Sequence, residues 1–109
     1  RYEKANGYLE RAVLLSSDPM LYYVMAKNEQ CLGEYRQAEK HLLHAIDILP
    51  ERIYPYYLLM NLYTEPSYFQ PAKLKMAIDS VLTKKPKVES SAIKEMKEKA
   101  RSMLNNTSI

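Results

Sequence analysis

His41 and His44 stand three residues apart in the run AEKHLLHAID, a spacing that puts two imidazoles on one face of a helix. A metal site would need three or four converging ligands. Spacing places no third ligand beside them, so two solvated histidines on the outer face of a helix are expected. Cys31 is the sole cysteine; it excludes an internal disulfide and is read as a small apolar packing residue. Ser16, Ser17, Ser90 and Ser91 fall at expected helix ends, where hydroxyls cap or form turns, and no glycine-bounded nucleophile turn surrounds them. Gly7 and Gly33 are isolated and follow no strand, so no phosphate cradle is expected. Glu95 and Glu98 alternate with lysines in the manner of a solvated, charge-paired face. These residues assign no catalytic, cofactor-binding or metal-binding group, and the search for function moves to surfaces.

The elements that must carry such surfaces are helices. A chain of 109 residues with two glycines and no alternating β-branched run is expected to be all-α, with one modest core. The stretch Gly33 to Pro50, GEYRQAEKHLLHAIDILP, sets Ala38, Leu42 and Ala45 at intervals of four and three, so two methyl-sized residues on one face admit a neighbouring helix closely. The pattern recurs. Tyr2, Ala5, Leu9 and Ala12 precede it by 33 residues, and Leu74, Ile78 and Val81 repeat it in a copy ending at Pro86. That last copy is two residues longer, and Pro66 and Pro71 place the insertion in its loop. Six helices are expected: 3–16, 19–32, 35–49, 54–64, 71–83 and 90–104. Asp18 before Pro19 forms a helix start, Gly33 suits a tight exit, and Pro50 and Pro86 end their helices.

The last helix differs in kind. Ala92, Ile93, Met96, Ala100, Met103 and Leu104 make an apolar stripe backed by Lys94, Glu95, Lys97, Glu98, Lys99 and Arg101, as a helix closing the end of a helical stack requires. From Lys84 to Arg101 seven Lys or Arg face three Glu, a net of +4 within a total of +3. The alternative reading of this helix is a basic surface, Lys94, Lys97 and Lys99, for anionic lipid or polysaccharide. The terminal NNTSI is expected to fray. No run approaches the ~20 apolar residues of a membrane span. The charge is too small, and too free of interleaved aromatics, for nucleic acid. The opening RYEKA enters the pattern midway, which predicts a piece of a longer protein.

Residues Pro19 to Pro50 resemble one complete tetratricopeptide repeat: Tyr22, Met25, Ala26, Gly33, Tyr35, Ala38, Leu42, Ala45 and Pro50 stand in register, with Glu29 departing where the pattern has Tyr. Tyr56, Leu59, Met60 and Tyr63 occupy the matching sites of the next repeat. The resemblance implies antiparallel helix hairpins forming a short right-handed α-solenoid in a single domain, 1–104. Its parts would be the second helix of a truncated repeat (1–18), a complete repeat (19–52), a lengthened repeat (53–87) and a capping helix (88–104), with a tail at 105–109. The phrases LPERIYPYYLLMNLY and KPKVESSAIKEMKEKARSML further resemble the C-terminal repeat tail of O-antigen ligase or polymerase-like membrane proteins of Bacteroidetes. This second resemblance implies the soluble domain of a bacterial inner-membrane protein, on a side of the membrane the residues do not specify. The glycan-transfer machinery would lie in the membrane part.

Positions lining the concave face of such a solenoid correspond to Tyr23, Lys27, Tyr57 and Asn61, the candidate partner-binding residues. The carboxylate clamp of chaperone-binding repeats is broken here, with Tyr23, Lys27 and Leu58 at three of its positions. A protein, a different peptide, or another part of the same chain is the expected partner, and no cofactor is expected. Ten of the eleven aromatics are Tyr, a residue suited to cores and wet interfaces alike.

Overall fold

The computed structural model describes residues 18–86 and 89–107. Among them the chain is all-helical, with five α-helices: α1 (Pro19–Cys31), α2 (Tyr35–Ile48), α3 (Tyr54–Tyr63), α4 (Pro71–Thr83) and α5 (Ser91–Thr107). The expected helix at 3–16 lies outside the described residues. Two compact units divide the chain between Pro50 and Glu51.

In the first unit α1 packs on α2. The Asp18 carboxylate accepts from the Met20 N–H at 3.0 Å and Pro19 opens the helix, using the two residue types best suited to a first turn. Gly33 ends α1 with φ 81°, letting the Glu34 N–H reach Glu29 O at 2.8 Å and the Gly33 N–H reach Gln30 O at 3.1 Å. Those two reversed bonds satisfy the last carbonyls of α1 and turn the chain back within three residues. Ala38, Leu42 and Ala45 are buried on α2, as are Met25 and Ala26 on α1.

In the second unit α3 packs on α4, and α5 packs on both. Helix α3 is apolar nearly all round, burying Pro55, Leu58, Leu59, Met60, Leu62 and Tyr63; such a helix must be enclosed. Leu74, Ile78 and Val81 are fully buried on α4, and Ala100 is the buried centre of α5.

Four features depart from expectation. Cys31, read as a small apolar packing residue, is exposed at the end of α1. The inserted loop forms a 3-10 turn, Pro66–Tyr68, whose Tyr68 ring stacks on Tyr63 at 6.5 Å. Helix α5 continues past Leu104 to Thr107, since neither Gly nor Pro interrupts Asn105–Thr107 and weak helix formers alone do not end an established helix. Ala92, assigned to the apolar stripe, is exposed, while Lys97 on that same side is half-buried.

Candidate functional site

Among the described residues two carboxylates are buried, Glu39 and, more deeply, Glu29. Glu29 lies near the end of α1 on the face that meets α2, and it is 3% exposed. An uncompensated carboxylate there would be costly; the His41 Nδ1–H on α2 donates to its Oε1 at 2.7 Å. The Tyr22 ring, two turns before Glu29, lies 5.9 Å from the His41 ring and 4.7 Å from His44. Expected solvation therefore holds for His44, which is exposed, and fails for His41, whose side chain is 19% exposed. His41 lies on the side of α2 that faces α1. The departure of Glu29 from the repeat pattern was the available signal, and it needed pairing with the histidine twelve residues on.

Comparison of the two hairpins explains the pair. Glu29 corresponds to Tyr63, and His41, through the register of Ala38 with Leu74, corresponds to Ala77. Both Tyr63 and Ala77 are buried. By register, a buried aromatic and a buried small residue in one hairpin correspond to two mid-sized polar residues, bonded to each other, in the other. Among the described residues no group of three His, Cys, Asp or Glu could hold a metal ion.

Helix α4 shows a second polar device. Its C-terminus has no glycine, and its exit residue Lys84 is extended (ψ 138°), so the last-turn carbonyls need donors from elsewhere. Lys84 N–H bonds Ser80 O at 3.2 Å. The Lys97 ammonium from α5 then donates to Val81 O at 3.1 Å, Leu82 O at 3.2 Å and Lys84 O at 2.8 Å. An ammonium also suits the negative end of a helix. Lys97 thus fastens α5 to the end of α4.

The tyrosines of α3 are engaged within the second unit. Tyr54 stacks on Tyr57 with centroids 6.4 Å apart. Lys84 Nζ sits 5.0 Å over the Tyr56 ring and Lys99 Nζ 5.5 Å over Tyr57, within the range of cation–π attraction.

The candidate partner-binding residues divide between the units. On α1, Tyr23 is buried and Lys27 exposed; on α3, Tyr57 and Asn61 are half-buried. Asn61 Oδ1 is a buried acceptor with no hydrogen-bond partner among the described residues. Of the alternative basic surface, Lys94 is exposed, Lys97 is committed to three carbonyls, and Lys99 lies over Tyr57. No helix among the described residues is long and apolar enough to cross a membrane. Compared with known proteins, the chain matches no family model and no curated sequence.

Proposed function

We propose that this chain is a non-catalytic interaction module built from tetratricopeptide-like hairpins. We place it as the C-terminal domain of a cell-envelope membrane protein that resembles O-antigen ligases or polymerases. The observation that carries the first half is the equivalence of the hairpins: Ala38, Leu42 and Ala45 are buried on α2, and Leu74, Ile78 and Val81 are buried at the same register on α4. Repeated hairpins of this kind present surfaces to partners and seldom house reactions. The second half is supported by the Leu49–Tyr63 and Lys85–Leu104 phrases. It implies that the partner is a protein, a peptide or another part of the parent chain.

Lys27 on α1 and the Tyr57–Asn61 pair on α3 are the residues assigned to binding; Tyr23, the fourth candidate, is buried and serves the core of the first unit. The basic-helix alternative has less support, because the Lys97 ammonium already serves three carbonyls. A free repeat adaptor remains the other reading, and the residues encoded upstream of Arg1 discriminate it. A run of membrane-spanning segments there supports the parent assignment, and further repeats replace it with the adaptor. The binding assignment is tested by titrating the isotope-labelled chain with soluble segments of the parent protein. Amide shifts at Lys27, Tyr57 or Asn61 support it; shifts confined to Arg36, Lys40 and Leu43 on the outer side of α2 reject it.

A further inference from the structure

Helix α5 is held in the second unit by a small apolar seat. Helix α3 buries six of its ten residues. Among the described side chains of the seventeen-residue α5 only Ala100 is buried, while Ile93, Met96, Met103 and Leu104 are half-buried. Hydrophobic stabilisation scales with the apolar area removed from water, so α5 loses less on leaving than α3 and α4 lose on parting. The remaining attachment is polar. The half-buried Lys97 donates to Val81 O, Leu82 O and Lys84 O at 3.1, 3.2 and 2.8 Å, and Lys99 Nζ lies 5.5 Å over the Tyr57 ring. Hydrogen bonds exchange for bonds to water when they open, so the net cost of breaking them is a small part of their gross strength. The Lys97 ammonium and its three carbonyls all have that hydrated alternative, and a buried methyl group has none.

Helix α5 also has support of its own. Ser90 Oγ accepts from the Ile93 N–H at 3.2 Å and Ser90 O from the Lys94 N–H at 3.0 Å, an N-cap supplied from within its own segment. Glu95 precedes Lys99 by four residues, the order that favours a helix. Neither support comes from α3 or α4.

We infer that α5 is a releasable strap on the α3–α4 hairpin: it opens as one unit while α3 and α4 stay paired, and the Lys97 ammonium is its latch. Opening lifts Lys99 off the Tyr57 ring, which makes the strap an autoinhibitory contact at a residue assigned to partner binding. That consequence rests on the interaction-module reading. The opening itself does not, and exchange rates test it whether or not Tyr57 meets a partner.

Amide exchange of the full chain, followed by NMR across urea concentrations below the unfolding transition, tests it. An isolated helix of this length is marginal in water, so a released α5 loses protection. Its amides are expected to exchange at least about tenfold faster than the slowest amides of α3 and α4, with a weaker dependence on urea because less surface is exposed. Lys97→Met, which keeps an apolar stem and removes the ammonium, should speed α5 exchange by at least about tenfold, and the exposed Lys94→Met by less than about twofold. Acetylation with an N-hydroxysuccinimide ester, read by mass spectrometry, should label Lys97 at least about tenfold more slowly than Lys94, and that gap should close at urea concentrations where α3 and α4 amides remain protected. Exchange of α5 at the rate and urea dependence of α3 and α4 means that it leaves only on global unfolding, and overturns the proposal without any variant. So does a Lys97→Met effect no larger than that of Lys94→Met, or a Lys97 amine labelled as fast as Lys94.

Discussion

Removing the His41 imidazole leaves the Glu29 carboxylate buried at 3% exposure without that hydrogen bond. Breaking a fully buried ion pair from one side costs about 3–5 kcal/mol. Here the His41 side chain is 19% exposed, so water can enter the vacated space, and His41→Ala is expected to cost about 2–3 kcal/mol. Glu29→Gln keeps the size and an acceptor and should cost about 1 kcal/mol. The second hairpin supplies the informative double variant, Glu29→Tyr/His41→Ala, which installs the residue types of the corresponding buried positions, Tyr63 and Ala77. Its summed volume is close to that of Glu with His, and it removes a buried charge. Replacing a buried polar pair by apolar groups of similar volume is often neutral or stabilising, so the double variant should lie within about 1 kcal/mol of the parent chain despite the large cost of His41→Ala alone. The stacking of Tyr63 on Tyr68 has no counterpart in the short α1–α2 turn, which limits any gain. Urea unfolding followed by far-UV circular dichroism, with amide exchange in α1 to locate the effect, measures all four corners of the cycle. A His41→Ala cost under about 0.5 kcal/mol, or strict additivity of the two substitutions, would refute the buried-pair reasoning.

Further outcomes follow from the second polar device and from the packing. Lys97→Ala should destabilise the second unit by about 1.5–3 kcal/mol and raise amide exchange at the end of α4, while the exposed Lys94→Ala stays within about 0.5 kcal/mol. Gly33→Ala meets no atom within 4 Å, so its cost of about 1 kcal/mol comes from the positive φ alone, and Gly33→Asn should cost less. Ala45→Leu forces a larger side chain into a fully buried position on α2 and should cost at least about 2 kcal/mol in urea unfolding, whereas Leu43→Ala on the exposed side should not.

Local signals were readable wherever one residue decides the outcome. Asp18–Pro19, Gly33 and Tyr54–Pro55 mark helix ends through their own backbone chemistry, and the structure starts or stops helices there to within a residue. The Ala38, Leu42 and Ala45 spacing identified buried positions because period alone determines a helix face. What escaped depends on two distant residues at once. Lys97 looked like one of several solvated lysines, since nothing local says that the end of α4 lacks donors. Glu29 and His41 lie on different helices; Glu29 alone reads as a departure from the repeat pattern and His41 alone as a solvated residue, and only their pairing across the hairpin gives the buried bond. The 3-10 turn at Pro66–Tyr68 is fixed by the stacking of Tyr68 on Tyr63, a contact across the loop that proline spacing does not reveal.

The assignment of this chain as an interaction module is tested most directly by photo-crosslinking in cells that produce the protein, with a benzophenone side chain placed at position 27 or 61. Controls carry it at position 40, on the outer side of α2, or at position 95, on the exposed side of α5. The account predicts a discrete crosslinked species from positions 27 and 61, to a protein or to another part of the same chain, and none from 40 and 95. Crosslinks from 40 or 95 alone, or none from 27 and 61 while the protein is folded and abundant, contradict it.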